Sequence, residues 1–469
     1  MNVDLRTFIN KVKELGPEFY MEAGKEVKPQ YETWMIQHKL DKQGRFPVVY
    51  YPKVEGSSIP VVTNVFGSWK LFGLAVDMDP RTASVSDIFH EYRRREENRI
   101  PFKTIAAAGA PVREVVLTGK DASLDVLPIM HHAPLDSGKF ITCGQLVCKD
   151  PKTGVFNVGI YRMEVKGKQQ LKLQMLPVRH PVYIMRRWEE LGKPMEVAVY
   201  IGHHPLVTVG AEYTGSMDVC EYDVVGGYLG EPLEVVPAAT VDLAVPANAE
   251  IVIEGVVNPS KRDKDGPLAE WSGFYGEEAD CFVLDVTAIT MRRDAIYQDL
   301  TDGCREHPML NTIGFTAAVY DAVARVVPSV KNVYMPLSGR GVITAYISIP
   351  QRVSGEARRA GLAAINSAGP VKIAVIVDEE IDVYNEEEVQ WAIATRVRPE
   401  VDIQIIPNIA GERLDPTSYD ESGLNRGHMT TKWIIDATKP MDSPFPTRIT
   451  APQDLLDRID LTEYLKNYQ

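Results

Sequence analysis

The sequence lacks the short motifs that identify most catalytic folds. It contains no GxGxxG dinucleotide motif, no phosphate-binding P-loop, no HExxH metal motif and no GxSxG nucleophile elbow. Its five cysteines include no CxxC pair, so neither a zinc framework nor a disulfide set is indicated, and reduced thiols are expected. No apolar run is long enough to span a bilayer, and the first residues do not read as a signal peptide. We therefore expect a cytoplasmic protein.

The sequence also has fewer basic than acidic residues. The formal net charge is −13, which argues against nucleic acid or an anionic membrane as the main partner, because both select clustered Lys and Arg. A small anionic substrate stays compatible with this charge, since a local cationic pocket can exist inside an acidic protein. The chain has 469 residues, and this length predicts two or three domains.

The pattern of apolar residues changes along the chain. Residues 1–115 mix helical and short extended segments, whereas residues 116–308 contain many short Val- and Ile-rich runs separated by turns, typical of a barrel or sandwich. After a helical stretch at 309–326, residues 327–450 alternate strand and helix patterns, which favours a parallel sheet. Residues 451–469 have one apolar helical face, which covers either the chain's own core or a partner subunit. These patterns predict a multi-domain fold of mixed α+β and α/β type.

Polar residues interrupt an apolar hairpin in the middle region. Asn157 and Arg162 are predicted on its first strand, and His180 at the end of its second strand. Asn, His and a carboxylate would suit Mg²⁺ or Mn²⁺, and a buried Arg162 would require an anionic partner. Asn157 and Arg162 are five residues apart and would face opposite sides of a straight strand, so a bulge at Gly159 is expected if they share a site. The alternative is a plain hairpin with an exposed arginine.

Two carboxylates flank a rigid turn at Asp265–Glu270. Pro267 lies between them and excludes a regular helix, so the two acids belong to a shaped loop. Leu268, Trp271 and Phe274 are expected to desolvate Glu270 and to raise its pKa. Asp265 at the start of a β-turn and Glu270 as a solvated acid form the alternative.

A third polar group follows in the run Cys304 to His307. Arg305 and His307 can bind a second carboxylate or a phenolic oxygen of a substrate. A salt-bridged turn is the alternative, and the residues alone leave both open.

Several segments in this order and spacing resemble the UbiD-like decarboxylases. The resemblance extends from about residue 5 to residue 440, and no single segment carries it. The segments are LPIMHHAPLDSGKFIT, NVGIYRMEVKG, GEPLEVV, DGPLAEWSGFY, VDEEIDVY and KWIIDATKP.

The resemblance implies an architecture and a set of cofactors. It implies an N-terminal α+β region, a split-barrel domain that binds prenylated FMN, and a C-terminal α/β domain that mediates oligomerisation. It also implies a divalent ion, Mn²⁺ or Mg²⁺, that holds the cofactor phosphate, with K⁺ nearby. A flavin prenyltransferase would supply the cofactor, and a homodimer or higher homo-oligomer is expected.

The resemblance also assigns roles to individual residues. It implies a catalytic set of an arginine and two acids, in which Asp265 replaces the family's first Glu and PLAE replaces its more usual Pro-aromatic-Gly-acid. The catalytic residues so implied are Arg162, Asp265 and Glu270; the metal ligands are Asn157, His180 and Glu234; and the cofactor contacts are Asn157, Ile160, Arg162, His180 and Lys432.

The expected activity is non-oxidative, reversible decarboxylation of an aromatic or heteroaromatic acid of phenolic, furan or pyrrole type. Arg162 and Asp265 would orient the carboxylate, and Glu270 would donate the proton. A polyprenyl-hydroxybenzoate decarboxylase is the alternative within the family. An FMN-dependent oxidoreductase on a split barrel is the alternative outside it, and such an enzyme would have no use for Arg162. A non-catalytic subunit is a third reading, against which the intact set of Arg162, Asp265 and Glu270 argues.

Overall fold

The N-terminal region is a group of helices around a small sheet. The computed structural model describes residues 3–176, 179–418 and 429–466. The first helix begins where the Asp4 carboxylate accepts a hydrogen bond from the Thr7 N–H at 2.9 Å, and it buries Leu5, Phe8 and Val12. The elements are α1 (Leu5–Glu14), β1 (Tyr20–Glu22), α2 (Glu32–Lys42), β2 (Val48–Tyr51), β3 (Val61–Thr63), α3 (Trp69–Ala75), α4 (Val85–Glu97) and β4 (Lys103–Thr104).

The middle region is dominated by short strands, as the sequence predicts. Its elements are β5 (Val115–Thr118), β6 (Phe140–Ile141), β7 (Gln145–Lys149), β8 (Phe156–Ile160), β9 (Met163–Gly167), β10 (Gln170–Leu173), α5 (His180–Glu190), β11 (Met195–Ile201), α6 (Pro205–Gly210), α7 (Glu221–Leu229), β12 (Glu234–Pro237), β13 (Ala244–Pro246), β14 (Ile251–Asp265), β15 (Leu268–Ala269), β16 (Tyr275–Gly276), β17 (Ala279–Met291) and β18 (Tyr297–Gln298).

One large sheet organises the middle region. Its strand order is β6-β9-β10-β17-β14-β11-β7-β8, with β5 paired to β17, and this path stays open between β6 and β8. Apolar side chains that include Leu146, Val199, Ile253 and Leu284 form its core. The strand ends that carry Ile160 and Asp265 therefore belong to one framework.

The C-terminal region is an α/β unit. Strands β20, β21 and β23 pair in parallel, and helices connect them, so the predicted parallel sheet is confirmed. Asn385 caps α10, because its side-chain oxygen accepts a hydrogen bond from the Glu387 N–H. The elements are α8 (Glu306–Ala324), β19 (Asn332–Tyr334), β20 (Thr344–Ile349), α9 (Glu356–Ser367), β21 (Ile373–Asp378), α10 (Glu386–Arg396), α11 (Pro399–Asp402), β22 (Ile403–Ala410) and β23 (Met429–Ala437).

The N-terminal and middle regions are connected by two strands that pair with a sheet of the other region. β18 completes the N-terminal sheet in the order β1-β2-β3-β18, and β4 pairs with β12 of the middle region. The mixed multi-domain class predicted from the sequence is confirmed, although hydrogen-bonded sheets extend across the predicted boundary at residue 115. Within the described ranges, no helix is both long and apolar enough to cross a membrane.

The C-terminal tail does not form one continuous helix. It contains the short helices α12 (Gln453–Leu456) and α13 (Leu461–Tyr464), and neither has a buried residue. The tail therefore does not cover the chain's own core, which was one of the two predicted roles.

Two adjacent histidines make folding sensitive to acid. His203 and His204 are buried beside α6, and burial lowers the pKa of each imidazole to about 3. Because the unfolded pKa is about 6.5, the unfolded chain binds protons that the folded chain rejects, so stability present at pH 7 is lost as the pH falls below about 6.5. Between pH 7 and pH 5 we expect each imidazole to lower the free energy of unfolding by about 2 kcal/mol.

Urea unfolding at the two pH values tests this expectation. His203→Asn keeps an oxygen where Nδ1 accepts the His204 N–H, at 2.8 Å, and should make the unfolding midpoint less dependent on pH. His90→Asn at an exposed position is the control. Equal pH dependence in wild type and His203→Asn would contradict the assignment.

Candidate active site

Three charged side chains from distant parts of the chain meet in a buried ion-pair cluster. Arg162 Nε donates to Asp265 Oδ2 at 2.9 Å, its Nη2 donates to Asp265 Oδ1 at 3.3 Å, and its Nη1 donates to Glu270 Oε1. The Asp265 side chain is fully buried, and those of Arg162 and Glu270 are about nine-tenths buried. Asp265 thus takes one edge of the guanidinium, and Glu270 takes the remaining nitrogen. Asp265 reaches Arg162 although its side chain is one methylene shorter than that of Glu.

A change of strand partner, and not a bulge, places Arg162. Strand β8 pairs with β7 in an unbroken register and ends at Ile160, and the chain then enters β9, which pairs with β6 and β10. The bulge expected at Gly159 is therefore wrong. An added Cβ at Gly159 would come within 2.9 Å of the Tyr161 ring, so this glycine makes room for that ring.

The loop that carries the two acids is closed by apolar and small residues. Leu268 and Trp271 are 1% and 8% exposed, whereas Phe274 is 59% exposed, so the expected contribution of Phe274 is wrong. Burial raises the pKa of Glu270, and the nearby Arg162 guanidinium acts in the opposite direction. The backbone of Gly276 lies against the Arg162 guanidinium, and a Cβ at this position would be 3.2 Å from Arg162 Nη1, so a small residue is needed there.

Side chains that the sequence reasoning missed hold this loop in place. The Asp136 carboxylate accepts hydrogen bonds from the Ala133 N–H at 2.7 Å and from the Ala269 N–H at 2.8 Å. Glu164 accepts from the Gly266 N–H at 3.1 Å, and Gln174 donates to Asp265 at 3.2 Å. The backbone beside each acid is therefore fixed from outside the loop, and only the tertiary structure reveals these partners.

A second polar cluster lines an adjoining cavity of about 160 Å³. Asn157 and His180 both line it, as expected, but the carboxylate beside them belongs to Glu221. Asn157 Nδ2 donates to Glu221 Oε1 at 2.8 Å, and the Val158 N–H donates to its Oε2 at 2.9 Å. Glu234 lies elsewhere, at the exposed first position of β12, where it faces Lys103 at 3.6 Å and lines a different cavity. The expectation that Glu234 joins Asn157 and His180 is therefore wrong, and Glu221 takes its place.

The chemistry of this second cluster fits a hard divalent cation. Burial raises the pKa of Glu221 to about 8, because no cation lies beside its carboxylate within the described part of the chain. Burial and Arg179 lower the pKa of His180, so its ring is the neutral imidazole that a metal requires. In the described residues no group of three His, Cys, Asp or Glu is suited to a metal, and this site has two such residues with the amide of Asn157. Oxygen and nitrogen donors of this kind suit Mg²⁺ or Mn²⁺.

The two clusters lie at opposite ends of one cleft. The cavity beside Arg162 and Glu270 has a volume of about 170 Å³. It shares Ile160, Tyr161, Arg179 and Glu212 with the cavity that Asn157, His180 and Glu221 line. An elongated ligand with an anionic end and a planar end would therefore reach both clusters, and Ile160 would lie at its middle.

The far wall of the cleft carries a buried histidine. His307 Nδ1 lies 3.0 Å from Asp302 Oδ1, and both residues line the cavity beside Glu270. Burial alone disfavours the imidazolium, but Asp302, with Glu270 and Glu212 nearby, raises the pKa of His307. Arg305 points away from this cavity and stacks on Phe46 at 4.1 Å, so its predicted contact with substrate is wrong.

Lys432 does not reach the cleft. It is 2% exposed on β23, and its ammonium donates to the Ile365 carbonyl in the last turn of α9, at 2.8 Å, and to the Gly369 carbonyl just after this helix, at 3.1 Å. Its expected place beside a cofactor phosphate is therefore wrong.

Known family models cover most of the chain. The N-terminal, Rift-related and C-terminal domain models of UbiD, described as 3-octaprenyl-4-hydroxybenzoate carboxy-lyase, match residues 20–91, 103–304 and 309–437. The middle match contains Arg162, Asp265 and Glu270 of the first cluster and Asn157, His180 and Glu221 of the second.

Full-length relatives support the same relationship. Phenolic acid decarboxylase of Sedimentibacter hydroxybenzoicus is 32% identical, and the match covers 99% of this chain and 98% of that protein. The UbiD-class enzyme HmfF of Pelotomaculum thermopropionicum, solved with FMN, superposes with a TM-score of 0.89 at 36% identity, covering 98% and 100% of the two chains. An evolved dimeric form of HmfF, solved with prFMN, gives a TM-score of 0.85 at 34% identity, covering 99% and 100%.

Proposed function

The chain belongs to the UbiD family of carboxy-lyases, and from that premise we propose that it is a reversible decarboxylase of an aromatic or heteroaromatic acid. The observation that carries this proposal is that Arg162 and Glu270, with Asp265 paired to the guanidinium, line a cavity that adjoins the one lined by Asn157, His180 and Glu221. Phenolic, furan and pyrrole carboxylic acids are the candidate substrates.

Arg162 binds and orients the substrate carboxylate. Asp265 holds the guanidinium through two of its nitrogens, so the third, Nη1, is directed toward Glu270 and the cavity. When Glu270 is protonated it binds Arg162 less strongly, and the substrate carboxylate can take its place on Nη1. Asp265 keeps the guanidinium in one orientation during this exchange.

Glu270 supplies the proton that replaces CO₂. When the bond between the ring carbon and the carboxyl carbon breaks, CO₂ leaves and the electron pair stays with the substrate. Glu270 then delivers its proton to that carbon, and solvent reprotonates the carboxylate. The raised pKa of Glu270 keeps this acid protonated at higher pH than an exposed glutamate would be.

The cofactor and its metal fit the two ends of the cleft. Prenylated FMN, when bound, supplies the electron sink for the pair left on carbon. Asn157, His180 and Glu221 would hold a divalent ion, Mn²⁺ or Mg²⁺, for the cofactor phosphate, with K⁺ as a neighbouring cation. Ile160 would contact the cofactor between these ends.

The cavity wall favours a small polar acid. Charged and polar side chains, among them Gln174, Asp302, His307 and Asn311, form about half of its lining. This lining disfavours a substrate with a polyprenyl chain. His307, oriented by Asp302, is placed to contact a polar substituent or heteroatom of the substrate ring.

A panel of carboxylic acids in D₂O tests the proposal. Protein co-expressed with a flavin prenyltransferase should carry a flavin that absorbs in the near-UV and should release CO₂ from an aryl acid, placing one deuterium on the former carboxyl carbon. Deuterium exchange reports the substrate class even where the equilibrium is unfavourable. Protein without any bound flavin, or flavin-loaded protein that oxidises NAD(P)H and exchanges no deuterium, would overturn the assignment.

Loss of the Asp136 carboxylate should slow turnover without emptying the site. In Asp136→Asn the amide NH₂ faces one of the two backbone N–H groups that now donate to the carboxylate, and two donors cannot form a hydrogen bond with each other. The backbone next to Glu270 should therefore shift. We expect kcat to fall about tenfold or more, with a smaller change in KM and full cofactor content. Asp125→Asn, at an exposed position, is the control. An unchanged kcat would contradict the positioning role.

We also propose that the exposed tail packs against a second copy of the chain. Leu455, Leu456, Ile459, Tyr464 and Leu465 are each about half exposed or more, which is costly for adjacent apolar residues. Removal of residues 451–469 should reduce the molar mass measured by light scattering coupled to size-exclusion chromatography. Ile449→Ser, which changes an exposed apolar residue outside the tail, is the control. The same mass with and without the tail would contradict this packing.

A further inference from the structure

The turn that carries His307 also borders a separate cavity of about 310 Å³. This cavity lies where α2, the 303–308 segment and the 337–340 segment meet, so all three regions of the chain contribute to it. Basic residues dominate its lining, and Asp41 provides the one carboxylate there among the described residues. The lining includes His38, Asp41, Lys42, Phe46, Arg305 and Arg340.

Among the described residues, two half-buried arginines in this cavity form no ion pair. Arg305 donates through Nε to the Gly67 carbonyl at 3.1 Å and stacks on Phe46, and Arg340 donates through Nε to the Trp271 carbonyl at 2.7 Å. Over the described ranges, neither guanidinium has a carboxylate within 4 Å. Elsewhere in the fold, Arg292 and Arg396 are buried with carboxylates beside them. Burying an arginine without an anion is unfavourable, so these two positions need an explanation.

Further details indicate that an anion is missing from this cluster. Arg340 Nη2 is buried and has no hydrogen-bond partner in the described part of the chain. Burial lowers the pKa of both Arg305 and Arg340, although Asp41 nearby opposes the shift. The Asp41 carboxylate is already occupied, because it accepts bonds from the Arg305 N–H at 2.9 Å and from Gln37 Nε2 at 2.7 Å.

We propose that this cavity binds a small oxyanion of the phosphate or phosphate-monoester class between Arg305 and Arg340. Guanidinium groups present paired N–H donors that match the oxygens of a phosphate group, and Lys42 at the rim adds a further positive charge. The volume exceeds that of phosphate alone, so a monoester also fits, with Phe46 beside its organic part. The inference goes beyond the decarboxylase assignment and does not depend on it.

The position of this oxyanion site links it to the catalytic loop. Arg340 holds the carbonyl of Trp271, the residue that follows Glu270, and the Arg305 N–H is bonded to Asp41 of α2. A bound anion would therefore connect α2, the segment after Asp302 and the C-terminal region through charge-assisted hydrogen bonds. Binding should raise the unfolding temperature, because the anion binds only the folded chain.

Calorimetry with inorganic phosphate and with phenyl phosphate tests the site. The protein is used as purified with its flavin, at constant ionic strength, with chloride as the reference anion. We expect a dissociation constant of about 0.1–10 mM for at least one of the two probes. Binding of inorganic phosphate identifies the free ion as ligand, whereas binding of phenyl phosphate alone identifies a monoester.

Matched variants separate this site from the cofactor cleft. Arg305→Gln and Arg340→Gln should each weaken binding about tenfold or more, and the exposed Arg359→Gln should not. Lys42→Gln, an exposed change that leaves the fold intact, should weaken binding several-fold and reduce its salt dependence. Glu270→Gln, which keeps flavin and metal bound and alters only the cleft, should leave anion binding unchanged. No binding of either probe, or equal binding by wild type and both arginine variants, would overturn the proposal.

Discussion

Glu270→Gln is expected to reduce turnover by about 10²–10⁴-fold while the flavin and metal stay bound. The amide keeps the shape of the side chain and can still accept the bond from Arg162 Nη1, but it has no proton to transfer to carbon. Because the proton is delivered only after the substrate is in place, KM should change much less than kcat. Deuterium incorporation from D₂O should fall by the same factor as CO₂ release.

The control for this change lies a few residues further along the chain. Glu277→Gln removes a carboxylate from an exposed position near the same loop, so its turnover should stay close to wild type. The pH profile gives an independent check: since burial raises the pKa of Glu270, activity should be present below that pKa and should decline as the pH rises through it. Full activity in Glu270→Gln would remove the residue from this role.

Glu221→Gln is expected to empty the other end of the cleft. Its carboxylate is buried between the Asn157 amide and the Val158 N–H, so the change removes the negative charge that a divalent cation requires there. Loss of an outer partner lowers metal affinity roughly 10–100-fold, and loss of a direct ligand should lower it further. The metal content and the flavin content of the purified variant should therefore both fall. Elemental analysis and near-UV absorbance of the purified variants measure both.

Two further variants sharpen this test. Glu234→Gln changes the glutamate that the family resemblance suggested, and it should keep wild-type metal and flavin because that side chain is exposed beside Lys103. His180→Ala should lose both, as Glu221→Gln does. Retention of metal by Glu221→Gln together with loss in Glu234→Gln would reverse the assignment made from the structure.

The error at Glu234 has a simple origin. Glu221 opens α7, where an acid is the residue ordinarily expected because it stabilises the helix N-terminus, so the sequence contains no sign of a ligand there. Glu234 stands in a recognisable segment, yet it lies on a different strand, β12, and is exposed. Only the packing of α7 against β8 decides which of the two carboxylates meets Asn157.

The same reasoning explains Arg305 and His307. Two residues apart at the start of α8, their side chains leave the helix about 200° apart, so they cannot both face one cavity. The residues alone left a substrate contact and a salt-bridged turn both open for this pair, and in the fold His307 lines the cleft whereas Arg305 lines the separate cavity beside Phe46. Phe274 and Gly159 were misjudged for a related reason, since exposure and strand pairing depend on partners far along the chain.

By itself the sequence determined the class of the fold and the α/β character of the C-terminal region, because periodicity is a local property. The resemblance carried by its segments implied Arg162, Asp265 and Glu270 as one set, and the structure brings these three side chains together. The tertiary structure alone decided which glutamate joins Asn157 and His180, that Asp136 and Glu164 hold the acidic loop, and that Lys432 lies outside the cleft. These are contacts between residues tens to hundreds of positions apart, and their geometry arises only when the sheets and helices pack.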